Sequence, residues 1–461
     1  MDDLLEQPVT TLAQLVQTGQ VTSKALTTAF IDRIEAVNPQ LNAVITSNFE
    51  PALKQAERAD LALKSGETPG RLFGVPMTIK DSLDTFDTVT TWGTEGRREF
   101  RPGRDATCVS RLRNEGAILL GKTNTPEFTL SFKTDNALFG RTSNPWDLER
   151  TPGGSSGGAA AAIAARLSPF DIGTDTGGSI RLPCHFSGVA GIKPTTGRVP
   201  CTGNALPTSG LLAPLSQPGP MAKTVAELSF LLPIIAGPDL VDPHTVPASW
   251  SDPAEVDVSS LRVGFHTDNG ISTPDAAIQQ AVQTAADCLR DQGCQVAEDR
   301  PTGIEMTAFI YGRLFSADNG DMVEMLLEDC RTRQPSARVA RILTERAPDG
   351  GSAAEFAQVI SLWHNYQSSM LSYFNQHDVL ICPVNARTAL SHDEPENPTD
   401  YTYTMAFNLT GWPGVVIRAG TDAAGLPVGI QIVTRPFTEH MALAVAAALE
   451  AEFGEYAAPP L

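Results

Sequence analysis

The chain has 461 residues, 41% hydrophobic and 19% charged, enough apolar side chain to bury a large core. Its formal net charge of −19 argues against nucleic acid or an anionic membrane as a partner. That sum does not fix the sign of any one cleft.

Residues 11–46 read as helices. Thr11-Leu12 opens an apolar period through Leu15 and Val16. Thr22-Ser23 caps a second helix with the stripe Leu26, Phe30, Ile31 and Ile34, ending before Pro39. A third helix runs from Pro51 to about Ser65 and stops at Gly66. Leu72 to Lys80 reads as a short buried strand between turn residues, Ala106 to Asn114 as a helix, and Ala117 to Leu120 as a strand. Residues 159–166 suit a helix whose small side chains let another backbone come close. Phe170 to Gly173 reads as a strand entering a glycine-rich loop, and Val225 to Ala236 as a helix. Leu261–Phe265 and Ala276–Gln292 repeat the strand-then-helix order. The Pro- and Asp-rich stretch 237–257 is a surface excursion, residues 300–375 form an amphipathic helical cap, and Gly350-Gly351 and 391–400 are exposed turns. Strands alternating with helices predict an α/β protein with a mixed sheet covered on both faces. We expect one three-layer α/β/α domain over 1–461, with N-terminal helices at 1–70, a catalytic core at 71–235 and the cap-like segment at 300–375.

Seven scattered cysteines without CxxC spacing speak against a disulfide framework or a zinc site. No apolar run reaches about 18 residues. The opening Met1-Asp2-Asp3 lacks the basic and apolar regions of a secretory signal, so a cytoplasmic location is expected.

Gly116 to Thr123 fits the phosphate-loop pattern GxxxxGK[ST]. Its four middle residues are apolar and read as the strand itself, a helix precedes them and a turn follows, so the match is accidental. Two glycine-rich stretches carry more. Thr151-Pro-Gly-Gly-Ser-Ser-Gly-Gly158 leads into the alanine-rich helix, and Gly173-Thr-Asp-Thr-Gly-Gly-Ser-Ile-Arg181 follows a strand. Glycines let successive N–H groups point into one concavity, and a serine at its end can attack a carbonyl whose oxyanion that concavity receives. Among the seven histidines, His185 lies six residues past Ser179 and reads as a packing residue; no Ser-x-x-Lys occurs. A lysine base is the remaining option. All eight lysines lie at or before residue 223, and Lys80 ends an apolar strand.

Taken in order, GVPMTIKDSLDT (74–85), GKTNTPEF (121–128), TPGGSSGGAAAAIA (151–164), IGTDTGGSIRLP (172–183), SGVAGIKPTTGRVP (187–200) and NLTGWPGVVI (408–417) resemble the amidase signature family. The resemblance spans nearly the whole chain. It implies a Ser–cis-Ser–Lys triad of Ser179 as nucleophile, Ser155 as proton relay after a cis bond to Gly154, and Lys80 as general base. It also implies an oxyanion hole from the N–H groups of Thr176, Gly177, Gly178 and Ser179, Thr129 facing the substrate, and Ser156, Asp175 and Arg181 supporting the loops. No cofactor or metal is implied. Lys80 must then be largely neutral near pH 7 to 8, starting from about 10.4, and burial of a lysine can supply such a shift.

The expected activity is hydrolysis of small to medium uncharged aliphatic or aryl amides through an acyl-enzyme. The expected partner is a small-molecule amide alone, with no nucleic acid, no membrane, and a monomer or homodimer. The alternative is the glutamine-hydrolysing A subunit of a tRNA-dependent amidotransferase. Those members carry an acidic residue before their NLAG-like segment, whereas here Asp400 is out of register. Phe128, Phe132, Trp363, Tyr366, Phe407 and Trp412 could line an acyl pocket or belong to the core.

Overall fold

A computed structural model describes residues 2–67, 69–345, 352–454 and 457–461; Gly350-Gly351 lies outside them. The strands among the described residues are Val44–Ser47 (β1), Pro76–Lys80 (β2), Ile118–Thr123 (β3), Asp135–Asn136 (β4), Gly140–Arg141 (β5), Phe170–Asp175 (β6) and Ala190–Lys193 (β7). They continue with Gln217–Ala222 (β8), Arg262–Phe265 (β9), Gln295–Glu298 (β10), Val379–Pro383 (β11), Gly414–Thr421 (β12) and Pro427–Thr434 (β13). Eight form a mixed sheet in the order β10-β9-β11-β13-β12-β7-β8-β6. Only β10–β9 and β9–β11 pair in parallel; the remaining neighbours are antiparallel.

Alternation along the strands assigns the two faces. Ile381, Val415, Ile417, Ile430 and Ile432 point to one side, against helices Val225–Ile235, Ala276–Asp291 and Glu439–Phe453. Leu380, Cys382 and Val433 point to the other, against helices Thr307–Phe315 and Ala353–Leu371, while Val416 there meets helix Gly157–Ala164. The result is the expected α/β architecture with helices on both faces. The segment 300–375 contributes helices Thr307–Phe315, Asp321–Cys330, Ala337–Thr344 and Ala353–Leu371.

β1, β3 and β2 make a separate small sheet, with β2 parallel to β3. At the edge of the large sheet one carboxylate gathers β2 and β3. Asp171 on β6 accepts from Lys80 N (2.9 Å), Thr78 Oγ1 (2.7 Å) and Thr123 Oγ1 (2.9 Å). Buried Asp171 therefore ties β2 and β3 to β6, and fixes the end of β2 where Lys80 sits.

Among the boundaries that differ from the sequence reading, the strand read from Leu72 begins at Pro76, after a turn, and the end of the second helix moves. Helix Ser23–Leu41 runs through Pro39, because a proline in the last turn forgoes only one hydrogen bond there. The helix ends instead at Asn42, in the left-handed region at φ 53°, and the side chain of Asn38 accepts from Ala43 N and Val44 N. Residues 44–47 are then extended, since they pair with β3.

Candidate active site

Lys80 is fully buried at the end of β2. Its Nζ lies 2.6 Å from Ser155 Oγ, 2.9 Å from Ser156 Oγ, 2.8 Å from Thr174 Oγ1 and 3.4 Å from Thr174 O. Ser156 Oγ donates to Thr174 O and accepts from Thr174 N, both at 3.3 Å. A neutral amine has two N–H donors and one lone pair. With Ser156 Oγ and Thr174 Oγ1 as acceptors, the lone pair is left for the Ser155 hydroxyl. Burial drives the Lys80 ammonium well below its ordinary value, against the opposing pull of Asp175 and Asp171. The amino end of helix Gly157–Ala164, one residue past Ser156, acts in the same direction as burial. That helix comes close enough to serve because its residues are small. A Cβ on Gly158 would sit 2.3 Å from Asn124 N.

The peptide bond Gly154–Ser155 is cis. Ser179 is 6% exposed, and its carbonyl accepts from Ser156 N at 3.1 Å. No hydrogen bond joins the Ser155 and Ser179 hydroxyls among the described residues.

Asp175 organises the second glycine loop. Its carboxylate accepts from Gly178 N (2.8 Å), Ile180 N (3.1 Å), Arg181 Nε (3.0 Å), an Arg181 terminal nitrogen (2.9 Å) and Asn408 Nδ2 (2.9 Å). Burial alone would raise this carboxyl, but Arg181, with Lys193 and Asn408, holds it well below the ordinary carboxylate range. Gly178 takes φ 137°, and a Cβ there would lie 2.3 Å from Thr404 Oγ1. Of the four amides proposed as oxyanion donors, Gly178 N–H thus already serves Asp175; those of Thr176, Gly177 and Ser179 have no acceptor among the described residues. Thr129 follows Phe128 in a 3-10 turn beyond β3, half-buried at φ 64°, and shares no hydrogen bond with the loops.

Sequence reasoning missed Thr174, Asp171, Thr404 and Asn408. Asn408 opens the NLTG block and Thr174 lies in the 172–183 block, both within reach of those signals; Asp171 and Thr404 sit in a strand and a helix outside the quoted blocks and carry no pattern of their own. The phosphate-loop lookalike is strand β3. Lys122 is buried, with Nζ hydrogen-bonded to Leu83 O, Thr85 Oγ1 and Thr90 Oγ1, and burial pushes it down to about 8. His185 is a packing residue: Nδ1 accepts from Gly429 N at 2.7 Å, Nε2 meets Arg387 O at 3.1 Å, and burial lowers it to about 4.

Trp363, Tyr366, Phe407 and Trp412 belong to the core, as does Phe128. Phe132 instead stacks on Tyr401 with ring centroids 4.0 Å apart, and Tyr311 Oη lies 3.4 Å from Thr176 O. Tyr401 Oη donates to Glu396 Oε1 at 3.0 Å. Burial lifts the Tyr311 and Tyr401 phenols above their ordinary value, and the charge of Arg338 opposes that rise in both.

An α/β fold that buries a lysine among serine hydroxyls beside a cradle of backbone amides is that of an enzyme acting on C–N amide bonds. Residues 25–443 match the family model described as Amidase, and the chain belongs to that family, the amidase signature enzymes. It is 36% identical over 462 residues to the A subunit of a glutamyl-tRNA(Gln) amidotransferase from Roseiflexus sp. (strain RS-1), covering 93% of this chain and 92% of that protein. It is similar to a solved 6-aminohexanoate cyclic dimer hydrolase complexed with substrate (TM-score 0.86, 29% identity, 100% of this chain and 98% of that one). It is also similar to the A subunit of the glutamyl-tRNA(Gln) amidotransferase from Thermotoga maritima (TM-score 0.80, 25% identity, 99% and 98%).

These relatives correct one expectation. A partner list confined to a small-molecule amide, with a monomer or homodimer and no nucleic acid, does not stand, because two of the three proteins are subunits of a tRNA-dependent enzyme. The reason is physical. Net charge is a whole-chain sum, and an interface between subunits has nearly the composition of other surface, so neither leaves a motif in one sequence. Among the described residues no helix is long and apolar enough to cross a membrane.

Proposed function

We propose that the chain hydrolyses carboxamides through an acyl-enzyme on Ser179, with Ser155 as relay and Lys80 as base. Ser179 Oγ attacks the carbonyl carbon, its proton passes to Ser155 Oγ, and the Ser155 proton passes to Lys80 Nζ. The tetrahedral oxyanion accepts from the free amides of Thr176, Gly177 and Ser179. The C–N bond breaks as a proton returns along the relay to the leaving nitrogen, and water then cleaves the acyl ester. The observation that carries this reading is the buried amine 2.6 Å from the Ser155 hydroxyl, in surroundings that favour its neutral form.

For the substrate, the relatives favour the side-chain amide of glutamine, with the chain acting as the glutamine-hydrolysing component of an amidotransferase. Glu396, which accepts from Tyr401 Oη, and Arg338, whose charge is felt at the Tyr311 and Tyr401 phenols, are of opposite sign and suit an amino acid's two charged groups. The second reading is an uncharged aliphatic or aryl amide. It is favoured by the stacked wall of Phe132 and Tyr401 and by the likeness to the cyclic dimer hydrolase. A cytoplasmic location suits seven free cysteines, six of them buried.

The test has two arms. Wild type should react with a fluorophosphonate probe and Ser179→Ala should not; equal labelling would overturn the nucleophile. Ammonia release from L-glutamine, with and without the partner subunits of a related amidotransferase, is then compared with hydrolysis of p-nitroacetanilide. Glutaminase activity raised by the partners supports the first reading, and anilide turnover with no glutaminase in either case supports the second.

A further inference from the structure

Every peptide carbonyl of the second glycine loop is held from behind. Gly177 O accepts from Thr404 Oγ1 (2.7 Å), Gly178 O from Leu182 N (2.7 Å), Ser179 O from Ser156 N (3.1 Å) and Thr176 O from Tyr311 Oη (3.4 Å). In a trans peptide the C=O and the following N–H point in opposite directions, so a bond on the carbonyl aims the amide. The amides after Gly177 and Ser179 are spent on Asp175. The amides after Thr176 and Gly178 are free, and one of these two peptides is held by the Tyr311 hydroxyl.

We infer that Tyr311, carried by helix Thr307–Phe315 of the cap-like segment, is a positioning residue for amide cleavage: its phenol orients and polarises the Thr176–Gly177 peptide so that Gly177 N–H faces the oxyanion. The inference rests on the acyl-enzyme reading above. Two details support it. A Cβ on Gly177 would lie 2.6 Å from Tyr311 Oη, so the ring is seated directly on this peptide. Charge on the oxyanion draws on Gly177 N–H and makes Thr176 O a better acceptor, which strengthens the phenol's bond as the transition state forms.

Losing one oxyanion donor costs about 10²–10³ in rate, and a neighbouring hydrogen bond strengthens a donor by roughly 10–30%. Tyr311→Phe, which keeps the ring and removes the hydroxyl, should then slow the chemical step about two- to eight-fold. The probe is a fluorophosphonate, because Ser179 Oγ bonds to phosphorus as fluoride leaves, with charge gathering on the phosphoryl oxygen. We expect kinact to fall by that factor with KI unchanged, while Ile310→Val, which loosens the core packing of the same helix and leaves the Tyr311 ring and its stacking on Phe315 in place, keeps kinact at the wild-type value. Unchanged kinact in Tyr311→Phe, or an equal loss in Ile310→Val, overturns the inference and leaves the nucleophile assignment intact. Labelling that survives in Ser179→Ala, or is absent from wild type, overturns both.

Discussion

Replacing Arg181 by methionine removes one half of an ion pair in which both side chains are fully buried. The methylene stem is largely conserved, so the change isolates the charge and its hydrogen bonds. Asp175 keeps its amide partners Gly178 and Ile180 and the Asn408 side chain, but loses two charged N–H donors. Breaking a buried pair from one side costs about 3–5 kcal/mol. Unfolding entropy is roughly 2.1 cal/mol/K per residue, or ~1 kcal/mol/K for 461 residues, so the melting temperature should drop by about 3–5 °C.

The pH dependence follows from the same pair. In wild type the Asp175 carboxyl is depressed, so it contributes stability above the unfolded carboxylate value of about 3.9 and loses it as pH falls. In Arg181→Met, burial is no longer offset by the guanidinium and pushes the carboxyl up. The variant therefore loses stability as pH rises through the shifted value. At low pH a neutral carboxylic acid leaves only the missing hydrogen bonds, about 1–3 kcal/mol. Scanning calorimetry should thus find a gap between the two proteins that is wider at about pH 8 than at about pH 5. A gap that is equal at both values, or under about 1 kcal/mol at the higher one, would refute the assignment of Asp175 as a carboxylate held down by Arg181.

Lys80→Met should abolish amide turnover at every pH, whereas wild-type turnover should climb as pH rises and the buried amine loses its proton. Because the folded ammonium is depressed, Lys80 costs stability below the unfolded lysine value of about 10.4; Lys80→Met should melt higher than wild type near neutrality, with the gap closing as pH approaches that value. Gly178→Ala should fold poorly and lose turnover, since φ is 137° and the new Cβ would collide with Thr404; soluble yield and labelling both report it. His185→Gln should retain turnover within about three-fold and lose about 1 kcal/mol of stability, as expected for a neutral ring satisfying two backbone groups. A large loss of turnover with an unchanged melting point would return His185 to the chemistry.

Local pattern was enough to read several features from the chain alone. Apolar runs mark β2, β3 and β6, Gly66 marks a helix end, and the run of alanines after Gly158 marks a helix that other backbone can approach. The motif blocks, in their order, implied Lys80, Ser155 and Ser179. Tertiary structure alone decided how those residues are held. Asn408 reaches Asp175 across 233 positions, and Asp171 joins two sheets that share no ladder at that edge. Thr174 offers Lys80 an acceptor because the end of β6 lies beside the end of β2, which no local pattern records. Which loop amides are free depends on where Asp175 sends its oxygens, so Gly178 looked like a donor in sequence and is an anchor in space. Periodicity records which face a residue shows to its neighbours in the chain; contacts between distant segments follow no period, and a site assembled from them becomes visible only when the backbone has closed.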